Sequence, residues 1–174
     1  MSSDKTDRAI EDNHPGINPG GVEEIGAVLR RLLADALVLY IKTKNFHWHM
    51  SGPHFRDYHL LLDDQADQVF AMTDEVAERA RKLGASTLRS IGDIARYQRL
   101  KDNDRKTIAP EEMLAEVWAD NKLFTGYLRN AYEVCERHND VATASLIEVW
   151  IDQAERRTWF LAETVADVAR GASR

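Results

Sequence analysis

A run of thirty residues without glycine or proline extends from His54 to Leu83 and stops at Gly84. This composition predicts one long helix, because glycine readily adopts the backbone angles that end a helix. Histidines and carboxylates recur along it at positions that one helix face can collect. We interpret the stretch from His47 to Glu78 as a metal site.

Two pairs of candidate ligands lie on this predicted helix. His59 and Asp63 are four residues apart, as are Asp74 and Glu78, so each pair occupies one face. At about 100° per residue, the eleven positions between the pairs leave them only about 20° apart around the axis. Along the axis they are roughly 16 Å apart, whereas metal bonds to nitrogen and oxygen are about 2.0–2.2 Å long. One helix therefore cannot bring both pairs to one metal ion.

Two antiparallel copies of the helix can bring the pairs together. A two-fold axis near Gln68 or Val69 lays the first pair of one chain against the second pair of the other, which gives two shared sites per dimer. His47 precedes the turn Ser51-Gly52-Pro53, and an antiparallel hairpin returns it to the start of the long helix. His47 is thus expected to complete the half-site formed by the first pair.

This arrangement resembles the ferroxidase pattern of the Dps proteins, or mini-ferritins (DNA-binding proteins from starved cells). The family pattern is a histidine, a second histidine twelve residues later, an aspartate four further on, another aspartate after eleven and a glutamate after four. The chain is also similar to the family in the surrounding segments TKNFHWH, SGPHF and DEVAERARKLG. The resemblance extends over residues 22–168. The five positions of the pattern are His47, His59, Asp63, Asp74 and Glu78.

The resemblance implies a function. Proteins of this family bind Fe(II) at two-iron ferroxidase centres shared between two chains and oxidise it, preferably with hydrogen peroxide. They store the Fe(III) mineral in a hollow dodecamer, which protects DNA from oxidative damage. Histidine combined with carboxylates suits Fe(II), which imidazole and hard oxygen both bind.

The resemblance also assigns supporting roles near the site. Trp48 is expected to donate an electron when peroxide is only partly reduced, and Lys44 to pair with a ligand carboxylate and favour its ionised form. Family members place acidic three-fold pores for iron entry near the turn between the third and fourth helices. Asp140 and Glu148 are the pore candidates here, although Ser145 stands where another acid is expected.

The whole pattern of helices predicts an all-α, ferritin-like four-helix bundle with a short extra helix between the second and third helices. From Val22 to Met50, apolar residues recur every three or four positions, as on one face of a helix, which predicts the first helix. Pro110, with two glutamates behind it, predicts the start of the third. The second helix is expected at 54–83 and the short helix at 90–100. The third helix should end at about His138. The fourth should end at about Ala169, and Asn139 or Asp140 can cap its start.

A length of 174 residues suits one domain. We expect a flexible N-terminal arm at 1–21, the bundle at 22–169 and a C-terminal tail at 170–174. The arm is not basic, because its side chains sum to −2 from Lys5 and Arg8 against Asp4, Asp7, Glu11 and Asp12.

Charge weighs against the main alternative function, a nucleoid-condensing DNA-binding protein. The formal net charge is −6, whereas phosphate binding needs clustered lysine and arginine. The N-terminus lacks the apolar core of a signal peptide, and the single Cys135 suits a reducing compartment. We therefore expect a cytoplasmic protein without a membrane partner, with the nucleoid as the alternative location.

Each candidate residue also has a structural interpretation. Acids such as Asp74 and Glu78 usually lie on a solvated helix face, and histidines are often packed in a core. Trp48 is more often a packing residue than a redox group, given the area that tryptophan buries. On these interpretations the chain is a structural bundle without metal, and only the five-residue spacing argues against it.

Overall fold

The computed structural model describes residues 16–18 and 20–171, with side chains up to residue 165. Within these ranges the chain forms helices and connections but no strand. The helices are α1 Gly21–His49, α2 Phe55–Lys82, α3 Ile91–Tyr97, α4 Pro110–Arg137 and α5 Val141–Gly171. The predicted all-α bundle, with a short helix between the second and third long helices, is confirmed.

The helix ends follow local sequence signals. The Ser90 hydroxyl accepts a hydrogen bond from the Asp93 amide at the start of α3. At the start of α5, the Asp140 carboxylate accepts from the Thr143 amide at 3.0 Å, so Asp140 is the cap. Asn139 instead has a positive φ of 60°, which lets the chain leave α4.

The connections explain how the long helices pack. Residues 50–54 join α1 to α2 and residues 138–140 join α4 to α5, so each of these pairs is an antiparallel hairpin. The long connection, residues 83–109, carries α3. Asp35, fully buried on α1, anchors this connection because its carboxylate accepts from the amides of Arg99 and Leu100 at 2.6 and 3.1 Å.

The bundle core has two parts. The larger part contains apolar side chains from the four long helices, and the smaller part lies beside the α1–α2 turn. Each fully buried leucine or phenylalanine stabilises the fold by about 1.5–3 kcal/mol. The smaller part holds the end of α1 against the start of α2 through Phe46, Met50, Tyr58 and Leu62, packed with Leu114 and Leu161.

Part of the predicted arm is bound to the bundle. The Asn18 amide donates to the carbonyl oxygen of His138 at 3.2 Å, and the Asn139 side chain donates to the carbonyl oxygen of Gly16 at 3.0 Å. Residues 16–18 therefore lie against the α4–α5 turn. Residues 1–15, Pro19 and residues 172–174, which include most of the predicted arm and tail, lie outside the described residues.

Candidate metal centre

His47, in the last turn of α1, and His59, near the start of α2, lie face to face. Their rings stack with centroids 3.7 Å apart. Nδ1 of His47 lies 2.8 Å from the carbonyl oxygen of His59, and Nδ1 of His59 lies 2.9 Å from the carbonyl oxygen of His47. Because a carbonyl oxygen only accepts, each Nδ1 must carry the proton. Both Nε2 atoms are then free to bind a metal ion, as in histidine ligands oriented through the other nitrogen.

Asp63 adds a carboxylate to these histidines. Its Oδ1 lies 3.7 Å from Nε2 of His47. The Lys44 ammonium donates a hydrogen bond to the same carboxylate. This bond is the main cause that lowers the pKa of Asp63 below its ordinary value, and it also raises the pKa of Lys44. The pairing keeps Asp63 ionised and therefore able to bind a cation.

Asp67 is a neighbour of the site that sequence reasoning did not single out. Its Oδ1 lies 3.5 Å from Nζ of Lys44, and its side chain is largely exposed. Its position four residues after Asp63 puts both carboxylates on one face of α2, and this spacing was the signal available in the sequence. Lys44 thus faces two carboxylates.

Asp74 and Glu78 lie farther along α2, exposed to solvent. The Glu78 carboxylate pairs with Lys82 at 3.3 Å, one turn away on the same helix. Among the described residues of one chain, no three histidine, cysteine, aspartate or glutamate side chains form a group that can hold a metal. His47, His59 and Asp63 are thus neighbours that form only part of a metal site, and the second pair does not join them within the chain.

The donor set of the half-site fits iron. It offers two imidazole nitrogens and one carboxylate, which together suit Fe(II) and leave other coordination positions free. His49 and His54, to which we assigned no role, are both exposed, and Nδ1 of His49 bonds to the carbonyl oxygen of Asn45 at 2.8 Å.

Trp48 is 63% exposed and follows His47 directly on α1. The packing interpretation is therefore wrong within the chain, because this indole is not part of either core cluster. Its redox role stays a prediction.

The two pore candidates differ in their surroundings. Asp140 is 3% exposed, and its carboxylate pairs with Arg79 at 2.8 Å and with the Thr143 hydroxyl. Glu148 is exposed, and both acids line one surface pocket with Ser145. Asp140 thus has a structural role within the chain, and Glu148 is the accessible carboxylate of the pair.

None of the helices in the described part of the chain combines the length and apolarity needed to cross a bilayer.

Comparisons with known proteins agree with the fold. The family model for the ferritin-like domain matches residues 26–171. The chain is 30% identical over 156 residues to DNA protection during starvation protein 1 of Deinococcus radiodurans, covering 89% of this chain and 75% of that protein. It superimposes on the X-ray structure of Dps from Thermosynechococcus elongatus with a TM-score of 0.80 and 30% identity, over 82% of this chain and 90% of that one. For the crystal structure of antigen TpF1 from Treponema pallidum the TM-score is 0.83 and the identity 27%, over 87% and 98%. The chain therefore belongs to the ferritin-like family and, within it, to the Dps proteins, or mini-ferritins.

Proposed function

We propose that this protein is a ferroxidase that oxidises Fe(II) at centres shared between two chains, preferably with hydrogen peroxide. It stores the Fe(III) product in a hollow dodecamer and so protects DNA from oxidative damage. The observation that carries this proposal is the preformed half-site, in which His47 and His59 present free Nε2 atoms beside the ionised Asp63.

The exposed surface around the half-site suits a second copy of the chain. Leu60 and Phe70 are 49% and 52% exposed and share one stripe of α2 with the four carboxylates at 63, 67, 74 and 78. Ile41 and Trp48, 56% and 63% exposed, flank Lys44 on the neighbouring stripe of α1. Exposed apolar patches of this kind mark protein interfaces. A two-fold partner would bury them and bring its Asp74 and Glu78 to this half-site.

The chemistry follows from the ligands and their charge. Two Fe(II) ions each lose one electron, and hydrogen peroxide takes both electrons with two protons to give two water molecules. No hydroxyl radical is released when both electrons transfer together. His47 and His59 bind Fe(II) through neutral nitrogens, while carboxylates of both chains stabilise the higher charge of Fe(III). Lys44 holds Asp63 in its ionised form. In this proposal Trp48 donates an electron when peroxide is only partly reduced.

Iron must also reach the interior of the shell. Glu148 and the net charge of −6 per chain would attract Fe(II) towards it. We keep Glu148 as the proposed pore acid and assign Asp140 to positioning, because Arg79 neutralises its carboxylate.

The test is an anaerobic titration of the assembled protein with Fe(II), followed by one equivalent of peroxide per two irons. Wild-type protein should bind two Fe(II) per chain and oxidise them without forming radicals that a spin trap detects. His59→Ala should lower the oxidation rate by at least about tenfold, because it removes a ligand. The matched control is His49→Ala, which removes an exposed histidine near the end of α1 and should behave as wild type.

Two results would overturn the proposal. One is an Fe(II) stoichiometry and oxidation rate that His59→Ala leaves unchanged while the shell stays intact. The other is oxidation by a preparation shown by light scattering to be monomeric, since one chain supplies only half of the proposed ligands.

A further inference from the structure

Arg157, on α5, is a buried cation at the centre of the bundle. It is 1% exposed, and its Nε donates to Oδ1 of Asn121 on α4 at 2.9 Å. Its carbonyl oxygen accepts from the side-chain amide of Gln65 on α2 at 3.2 Å. Its Nη1 and Nη2 atoms have no hydrogen-bond partner within the described part of the chain. Arg157 thus joins three helices through its side chain and its backbone carbonyl, while two nitrogens of its guanidinium stay unpaired within the described residues.

Other inward-facing cations of this chain are paired with carboxylates. Lys42, 4% exposed, lies 2.9 Å from Glu116 and 2.7 Å from Asp120. Arg79 pairs with Asp140, and Arg99 pairs with Asp35. Among the described residues, Arg157 has no such ion pair within 4.0 Å. Burial lowers its pKa to about 10, which still leaves it charged at neutral pH. A buried charge without a counter-charge is unfavourable, so a compensating anion is expected.

A small cavity lies beside this guanidinium. It has a volume of about 20 Å³, and its polar lining residues are Asp64, Gln65, Gln68, Arg156 and Arg157, with the apolar Leu61 and Phe160 beside them. This volume holds one water molecule or one ion of similar size. A wider surface groove shares Asp64, Gln68 and Arg156 with the cavity, which provides a route from solvent.

We propose that this cavity binds one chloride-sized monovalent anion as the counter-ion of Arg157. An ion of this size matches a space of about 20 Å³ beside the guanidinium. A water molecule can bridge Arg157 and the unpaired Oε1 of Gln65, but it leaves the positive charge uncompensated. Asp64 supplies the carboxylate in the lining, but it is exposed and accepts a hydrogen bond from Gln68 at 2.8 Å. The bound anion would stabilise the packing of α2, α4 and α5, independently of iron oxidation.

Crystals grown in bromide in place of chloride locate the anion directly. The expected result is an anomalous bromine peak in the cavity beside Arg157 at each chain of the assembled protein. The peak should disappear in Arg157→Met. It should persist in Arg31→Met, the matched control that removes an exposed arginine on α1 outside the cavity lining.

Thermal unfolding tests whether the site is occupied in solution. Sodium chloride is compared with sodium gluconate, whose anion is too large for the cavity, at equal ionic strength. Above the dissociation constant, a tenfold rise in chloride should multiply the folding equilibrium constant by about ten for wild type and for Arg31→Met. Arg157→Met, or Arg157→Gln if the first variant does not fold, should lose this dependence.

Three outcomes overturn the proposal. The first is an ordered water without bromine density, and the second is an Asp64 carboxylate turned inward to pair with Arg157. The third is a bromine peak with identical unfolding in chloride and gluconate, which would mean binding at crystal concentration only.

Discussion

His47 and His59 hold each other in place through reciprocal hydrogen bonds, each ring Nδ1 lying within 2.9 Å of the other residue's carbonyl oxygen. Neither imidazole can rotate without breaking the bond that orients it. The half-site is therefore formed by the α1–α2 hairpin itself, before any metal binds. In the proposed function, the remaining ligands come from a second chain.

Mixing two inactive variants tests whether centres are shared. His59→Ala and Asp74→Ala should each slow iron oxidation without dissolving the oligomer, because the core does not depend on these partly or fully exposed side chains. In a hybrid dimer one of the two centres keeps all its ligands. Shells reassembled from both variants should therefore recover part of the wild-type rate. Recovery no greater than that of the separate variants, in shells shown by mass spectrometry to contain both chains, would contradict a shared centre.

Two glycines on long helices should respond in opposite directions to alanine. A Cβ at Gly26 on α1 would lie 2.5 Å from Cβ of Ala85, so Gly26→Ala should destabilise the fold by about 1–3 kcal/mol through overpacking. A Cβ at Gly126 on α4 meets no atom of the described residues within 4 Å. Gly126→Ala should raise stability by about 0.5–1 kcal/mol, because glycine is a poor helix former. Urea unfolding at equal protein concentration measures both, and destabilisation by both variants would contradict the contrast.

The Glu24 carboxylate should stabilise the fold at neutral pH but not in acid. Its hydrogen bond with Nε2 of His138, at 2.6 Å, is the main cause that lowers its pKa, and Arg137 adds to this. A lowered carboxylate pKa stabilises the fold above the ordinary value of 4.5, and the effect is lost as pH falls through the lowered pKa. Glu24→Gln should thus lower the Tm at neutral pH and converge with wild type in acid. Glu23→Gln, in the same helical turn but exposed, is the control.

Cys135 should be unreactive in the native protein. Its side chain is fully buried, and burial is the main cause that raises its pKa to about 12 from an ordinary value of 9.0. At about pH 8 this lowers the reactive thiolate fraction about a thousandfold. A thiol reagent should therefore label Cys135 only in denaturant. Rapid labelling of intact shells would show that α4 opens in the native state.

DNA binding at neutral pH should be weak or absent. Each chain carries a formal charge of −6, and residues 1–21 sum to −2, so the assembled particle repels phosphates within a Debye length of about 8 Å. Protonation of His14 and carboxylates, or bridging by Mg(II), should strengthen binding. Gel shifts at about pH 7.5 and about 0.15 M salt measure this, since affinity depends on ionic strength. Retardation at submicromolar particle concentration, abolished by deleting residues 1–21, would show that the arm binds DNA despite its charge.

The sequence alone was sufficient for the helices and for the register of the ligands on α2. Helical periodicity is local, so the spacing of His59, Asp63, Asp74 and Glu78 determines that both pairs share a face and lie too far apart for one metal ion. Glycine, proline and cap residues likewise predicted the helix ends to within a few residues, because they act on neighbouring backbone groups.

Only the tertiary structure decided the environment of each charge. Lys42 and Lys44 are two residues apart. Lys42 is buried and pairs with Glu116 and Asp120, whereas Lys44 pairs with Asp63 at the half-site. Asp140, a predicted pore residue, is buried and pairs with Arg79, which its own sequence segment does not indicate. Arg157 is buried although its neighbour Arg156 is exposed. These environments depend on which helix packs against each face of another helix. The packing partners are distant in sequence, so the periodicity of one segment does not predict them.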